Sequence, residues 1–474
     1  MPREPSFTAS WGDLLRGRNG LLALALTGGV ALHAINVHIV TTVLPSVVRD
    51  IGGLDWYAWN TTLFVVASIV GAAVSVRLLA LLGPRGACMA ALAVFALGSA
   101  GCALAMSMPW MLASRSVQGL GGGTLAALSY ALIRVVFAPP LWPRAVALVS
   151  GMWGVATLCG PAVGGLFAQA GHWRWAFWTL LPIALLQGLL VAAQLRPASA
   201  SASPAGAAPR TPVPQIALLA ASVLAVAAGS LSAALAWQGA GVAAGIALGA
   251  AAIAYDRRAS LRLLPAGATA PGTPLGAAYA SVALLLVGTT TEIFVPYFLQ
   301  TLHGHTPLAA GYLTAAMAGG WSLGSLLSSG HGGAGAARLL RAGPMLCAAS
   351  LLVLAVLMPA GAGLAPDTRT LLCGLALAGA GAGVGIGWPH LLTQVLTLAP
   401  SGEGGTASAA ITTVQLYGMA IGAAVAGLVA NAAGITSPGG TAGAQSAAAW
   451  LFASFAMAPA LAAVVARRIT GGAH

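Results

Sequence analysis

The sequence has no lysine. Its 20 basic residues are all arginine, set against only eight acids in 474 positions. Charged residues make up 6% of the chain, where a soluble domain carries about a quarter. With 58% hydrophobic residues, that scarcity excludes a water-soluble fold, because too little polar surface remains to face water. Cysteine is also scarce. Cys88, Cys102, Cys159, Cys347 and Cys373 fall in apolar runs without CxxC or Cys/His spacing, which argues against a disulfide framework or a zinc site and reads as small core residues. No GxxxxGK[ST] segment occurs, so direct ATP hydrolysis is disfavoured. The net charge of +12 raises the question of a nucleic-acid partner, but the arginines do not cluster as such a surface requires.

What the sequence does have is long apolar runs. A bilayer core needs about 20 apolar residues per helix, and by that test there are fourteen candidate spans. Six of them, 20–45, 57–82, 87–106, 110–137, 145–170 and 175–195, precede a Pro/Ala/Ser-rich linker at 196–214. Two shorter ones, 216–235 and 239–255, are followed by a second polar linker, DRRASLRLLPAGATAPGTP. The last six are 276–302, 309–329, 342–359, 371–398, 407–430 and 447–466. The expected fold is therefore an all-α polytopic membrane protein. It has a tail at 1–19, a six-helix half at 20–195, linkers with two inserted spans at 196–275, a second six-helix half at 276–466 and a tail at 467–474. The 63 glycines and 27 prolines lie within the apolar runs, where glycine lets helices approach and proline interrupts them usefully. The run after the polar amino terminus is too long for a signal-peptide core and reads as the first span.

Arginine placement sets the orientation, since cytoplasmic loops carry the basic excess. With the amino terminus inside, Arg3, Arg16, Arg18, Arg77, Arg85, Arg134, Arg144, Arg196, Arg210, Arg257, Arg258, Arg262, Arg338, Arg341, Arg467 and Arg468 are cytoplasmic, sixteen of the 20. Arg49, Arg174 and Arg369 fall outside, and Arg115 within a span. Both termini are thus expected in the cytoplasm of a cell (inner) membrane, and the lysine-free, alanine-rich composition fits a high-GC bacterial genome. The loops LLGPRGACMAAL and RLLRAGPMLCAAS pair arginine with glycine after the second and tenth spans, which points to an internal repeat.

Seven of the eight acids, Glu4, Asp13, Asp50, Asp55, Asp256, Asp367 and Glu403, lie in tails or loops, so Glu292 is expected as the sole embedded carboxylate. It falls about ten residues from the outer end of its span, near mid-membrane at ~1.5 Å per residue. A charge there costs at least a few kcal/mol. Its protonation would therefore be linked to the side the site faces, and the anion could hold a cationic substrate. The alternative is a structural ion pair, or hydrogen bonds to Thr289, Thr290 and Thr291. Arg115 needs an acceptor, since it keeps its proton. His33 and His38 flank Asn36 in the first span, and imidazole titrates near neutral pH unaided. His38 has either a coupling role or that of a neutral hydrogen-bond partner. Asn36 cannot titrate and reads as a substrate contact or a helix–helix hydrogen bond.

Several stretches resemble the major facilitator superfamily, specifically its fourteen-span drug:proton antiporter branch, over nearly the whole chain. AINVHIVTTVLP is similar to the branch's acidic motif, but with Asn36 at the usual aspartate. Arg115, Gln118 and Gly119 in RSVQGLGGG match its RxxQG motif. GMWGVATLCGPAVGG carries the GPxxGG antiporter motif at Gly160, Pro161, Gly164 and Gly165, followed by WRWAFWTLLP. FVPYFLQTLHGHTPLAAGY and the segment around Gln415 and Gly418 resemble the second half of the branch. The signature loop after the second span keeps Gly83 and Arg85 as a gating loop, but Ala80 stands at its usual acid.

The resemblance implies two packed six-helix halves working by alternating access, without cofactor and driven by a proton gradient. It gives Arg115 a place in the proton pathway or gating, against a plain structural role capping carbonyls. It makes the GPxxGG segment a hinge as well as a packing face. It would bring Trp59, Tyr297, Trp321, Trp388, His390, Gln415 and Tyr417 toward a central amphipathic cavity, where each taken singly reads as interfacial belt or core. The function it implies is proton-coupled export of amphipathic compounds by a monomer. The alternatives are a weakly coupled lipid or metabolite facilitator and, less so, a non-transporting sensor or scaffold.

Overall fold

The computed structural model describes residues 10–195, 211–232, 234–270, 272–331, 333–359 and 363–470. Arg3, Glu4, Arg196, Arg210 and most of the first linker lie outside the described residues. Within them the chain is helix joined by turns. α1 (Trp11–Leu15) is capped by Ser10, whose hydroxyl accepts from the Asp13 amide while the Asp13 carboxylate accepts from the Ser10 N–H. α2 (Gly17–Ile51), α3 (Trp59–Ala103), α4 (Met108–Val136), α5 (Trp142–Gln169), α6 (Arg174–Trp178) and α7 (Leu180–Gln194) form an N-bundle. α8 (Val213–Gly229) and α9 (Leu235–Arg258) form an inserted hairpin. α10 (Pro274–Thr289), α11 (Val295–His303), α12 (Pro307–Ser328), α13 (Gly333–Leu357), α14 (Pro366–Thr397), α15 (Gly404–Ala432), α16 (Gly440–Phe455) and α17 (Met457–Thr470) form a C-bundle. By length and composition alone, 10 of the described helical segments can cross a membrane.

Helix is the form an apolar chain takes in hydrocarbon, because each segment satisfies its own backbone polar groups. The turns are correspondingly tight. α3 folds back at a single residue, Gly83, with φ 67° and ψ 178°, a conformation open to glycine, and Pro84 then starts the next helical run without needing an N–H partner. The second loop compared above is built differently: Arg338, Arg341, Gly343 and Pro344 lie inside α13, so the sequence likeness of the two loops does not extend to their turns.

The stretch at 276–302 is one apolar helical run, Pro274–His303, in which a 3-10 turn, Thr290–Phe294, separates α10 from α11. One further expectation is corrected. Asp256 is not in a loop. It sits in the last turn of α9, 4% exposed, and accepts from the amides of Leu263 at 2.7 Å and Leu264 at 3.2 Å. The polar linker after α9 is thereby folded back onto its own helix.

Helices approach closely where glycines face carbonyls. Gly320 and Gly381 seat α12 against α14, lying against the carbonyls of Ala378 and Met317, and Gly119 sets α4 against the Phe64 carbonyl of α3. Serine and threonine hydroxyls bond back to carbonyls of their own turn, as Ser99 does to Phe95 and Thr314 to Ala310.

Several contacts joining the two bundles lie at one end, marked by the Arg174–Asp50 ion pair at 2.6 Å. There Arg49 donates to Gln300 at 2.6 Å, and the Asn431 amide donates to the Asp55 carbonyl at 3.0 Å. The Tyr57 ring stacks on Phe294 at 4.9 Å and meets Tyr297 edge-on at 5.7 Å. Toward the other end, Gly151 and Gly154 on α5 and Gly319 on α12 have nothing within 4 Å of where a Cβ would stand. The end marked by the ion pair is closed by the contacts of Arg49, Asn431 and Tyr57.

This packing predicts that Gly381→Ala destabilises the detergent-solubilised protein by about 1–3 kcal/mol through overpacking, read as a lower midpoint for loss of the monodisperse peak on heating. Gly319→Ala, which meets open space, is expected to leave the midpoint unchanged. Equal midpoints for the two variants would refute the packing argument.

Candidate functional site

In the N-bundle the site is built around Arg115, which is 2% exposed. Its place on α4 faces the start of α3, so Nε donates to the Asn60 carbonyl at 3.3 Å, and Nη1 donates to Gln118 Oε1, one turn along, at 2.5 Å. Gln118 in turn donates from Nε2 to the Ser99 hydroxyl at 2.9 Å. The guanidinium lies 4.0 Å from the centre of the Phe64 ring. No carboxylate pairs with it among the described residues. The acceptor that the sequence demanded is a backbone carbonyl and an amide.

Phe64 continues the stack to His33, ring centres 5.3 Å apart, and His33 meets Trp153 edge-on at 6.0 Å. Asn36, one turn from His33 on α2, is fully buried with neither its amide nitrogen nor its oxygen partnered, so it makes no helix–helix hydrogen bond among the described residues. His33 Nδ1, Trp59 Nε1 and Asn60 Oδ1 are also buried without partners. An unsatisfied buried polar group costs about 1–3 kcal/mol, and such groups mark places where water or a ligand fits.

In the C-bundle Glu292 sits within the 3-10 turn between α10 and α11. The three threonines do not serve it, since Thr289, Thr290 and Thr291 donate to the carbonyls of Leu286, Val287 and Gly288. The carboxylate is half-buried and has no hydrogen-bond or ion-pair partner among the described residues. It is not the sole enclosed acid, since Asp256 is buried and Glu403 half-buried, but both of those accept from backbone amides. Two residues on, Phe294 joins the ring closure with Tyr57, so Glu292 lies beside the closed end. Tyr57 and Phe294 escaped the sequence reading because no motif marks which aromatics from distant segments meet.

The motif glycines lie where three helices cross. Gly160 seats α5 against His38, Gly164 lies against Ile39 and Thr42, and Gly165 packs on Leu308 of α12. Gly311 of α12 reaches Pro161 and Thr42 in return. The GPxxGG segment thus forms the contact between the bundles as well as within one. The half-buried His38 imidazole makes no hydrogen bond among the described residues.

The remaining expected residues divide. Trp321 and Trp388 meet edge to face at 4.9 Å, and Tyr297 joins the ring closure. Trp59 leans on Trp56 at 5.3 Å. His390 bonds the Ser328 carbonyl at 3.1 Å. Gln415 is half-buried without a hydrogen bond among the described residues. Tyr417 points elsewhere, its hydroxyl 3.0 Å from Ser222 of α8, because the inserted hairpin covers that face of α15. Gly83 is the α3 turn itself, with Arg85 half-buried beside it. Cys159 is exposed on α5, not a core residue.

A family model described as the Major Facilitator Superfamily matches residues 26–423. Two proteins described as probable multidrug-efflux transporters, from Mycobacterium tuberculosis strains H37Rv and CDC 1551, are each 38% identical to this chain over 438 residues, 91% of it and 92% of them. Among solved structures, an inward-facing, unoccupied bacterial homologue of the human lysosomal transporter Spinster shares 16% identity, with TM-score 0.64 over 96% of this chain and 98% of that one. A POT family transporter in complex with 5-aminolevulinic acid shares 13% identity, with TM-score 0.67 over 95% of this chain and 96% of that one. These structural likenesses speak for the fold. With helix throughout the described residues, bundles closed at one end and a family match over most of its length, this chain belongs to the Major Facilitator Superfamily and is a multi-pass membrane transporter, not an enzyme.

Proposed function

We propose that the protein is a proton-coupled exporter of small amphipathic compounds, cationic ones among them, working as a monomer by alternating access across fourteen spans arranged six, two and six. Glu292 carries this reading: it is a half-buried acid at a helix break, beside the closed end, with no partner among the described residues. A carboxylate so placed gains from taking up either a proton or a cationic substrate, so the two compete for one position. Export is supported by the 38% identity to relatives described as probable multidrug-efflux transporters. The arginine bias supports a cytoplasmic Gly83 end and cytoplasmic termini in a bacterial cell membrane, with the closed end outward. The unpartnered atoms of His33, Asn36, Trp59 and Asn60 support a hydrated cleft that receives substrate.

A second reading, a weakly coupled facilitator, is favoured by one observation. The N-bundle offers no acid beside Arg115, and Asn36 stands in the family's acidic position.

In proteoliposomes, Glu292→Gln is expected to abolish proton movement driven by a cationic dye and to end uphill dye export, with the chain still monodisperse. Intact efflux and proton flux in this variant would transfer the function to the facilitator. Arg115→Leu is expected to lower the melting midpoint, since it removes a charged donor from both the Asn60 carbonyl and Gln118 Oε1 and the cation from the Phe64 ring face. An unshifted midpoint combined with lost export would assign Arg115 to gating.

A further inference from the structure

Two seams separate the bundles along their length, α3 against α15 and α5 against α12, and the inserted hairpin lies on the first. Val223, Val226 and Ala227 of α8 are buried against Phe64, Val65 and Val66 of α3 and against Ala420 and Ala424 of α15. The second seam has no inserted helix against it, and Trp153, Leu158 and Tyr312 along it are exposed.

The two sides of α8 are held differently. Toward the C-bundle, hydrogen bonds add to the apolar contact with Ala420 and Ala424. Ser222 meets the Tyr417 hydroxyl at 3.0 Å, and the Ser230 carbonyl accepts from Asn431 at 2.9 Å. At the opposite end the linker after α9 is fastened to α15, where Glu403 accepts from the Ala266 amide at 2.7 Å. That linker is fastened to the hairpin by Asp256 and by Gln215, which donates to the Leu261 carbonyl at 2.8 Å. Toward the N-bundle the contact is apolar, and the one polar link is indirect: the Asn431 amide that holds Ser230 also reaches the Asp55 carbonyl at the closed end. Directional hydrogen bonds fix one helix against another, whereas smooth apolar faces permit sliding at little cost.

We infer that the inserted hairpin travels with the C-bundle and slides along α3 of the N-bundle, keeping the α3–α15 seam sealed while the bundles rock. This rests on the alternating-access reading given above. Asn431 then acts as a latch that joins hairpin, C-bundle and first outer loop when that end is closed, and lets go of Asp55 when it opens.

Spin labels at the exposed positions Val213 of α8, Ser408 of α15 and Leu81 of α3 test this in pairs, in a Cys159→Ser background that removes the exposed native thiol. Distances are compared between protein with an intact outer closure and protein carrying Arg49→Ala and Tyr57→Ala, which weaken it. The expected result is an unchanged 213–408 distance, with 213–81 shifting in step with 81–408. A 213–408 distance that shifts, or a 213–81 distance that holds while 81–408 moves, overturns the inference. A fixed 81–408 distance overturns alternating access itself, and the sliding hairpin with it. If the double variant aggregates, Arg49→Ala alone, which removes the Gln300 contact and leaves the hairpin untouched, serves in its place with the same outcomes read.

Discussion

A backbone polar group in hydrocarbon has no partner except its own chain, and nearly every feature of this protein follows from that constraint. It makes helix the common element, turns hydroxyls back onto carbonyls of their own turn, and reduces some connections to a single residue, as at Gly83. It also explains why helices bind through small residues: with lipid as apolar as leucine, close approach gives dispersion contact that hydrophobic burial cannot. Gly320 and Gly381 between α12 and α14, and Gly160 and Gly164 between α5 and α2, are instances of one device. A departure from continuous helix then carries information, and the 3-10 turn at Glu292 is such a departure inside the packed C-bundle.

Charge is distributed unequally between the bundles. The N-bundle holds a permanent cation, Arg115, with a carbonyl, an amide and an aromatic face around it. The C-bundle holds an acid, Glu292, with no hydrogen-bond or ion-pair partner among the described residues. A permanently charged side chain that is fully engaged suits a fixed element of structure, while an unengaged titratable one suits a site whose state changes. The antiporter branch that the sequence resembles has acids where Asn36 and Ala80 stand here, and among the described residues the enclosed acids lie in the inserted hairpin and the C-bundle.

The sequence was informative where physics is local. Apolar length alone marked stretches that the structure shows as helix, and the GPxxGG run marked a close helix crossing. It was less informative where partners come from distant segments. The break at Thr290–Phe294 has one local signal, Pro296 just after it, which has no N–H to donate to the Glu292 carbonyl four residues back. The burial of Asp256 depends on a linker that reads as merely polar until it folds back onto α9. Tyr417 reads as a cavity residue, yet α8 stands on its side of α15.

What the sequence by itself determined is therefore the medium and the scaffold: too few charges for water, apolar runs of span length, glycines and prolines within them, and one acid, Glu292, inside such a run. These follow from composition and spacing, which act over a single helix turn or a single span. Only the tertiary structure decided which acids are partnered, which end the bundles close, which face of α15 the hairpin covers, and that Asn36 stays unpaired. A hydrogen bond or a seam joins residues that are hundreds of positions apart in the chain, and no local pattern encodes which of them will meet.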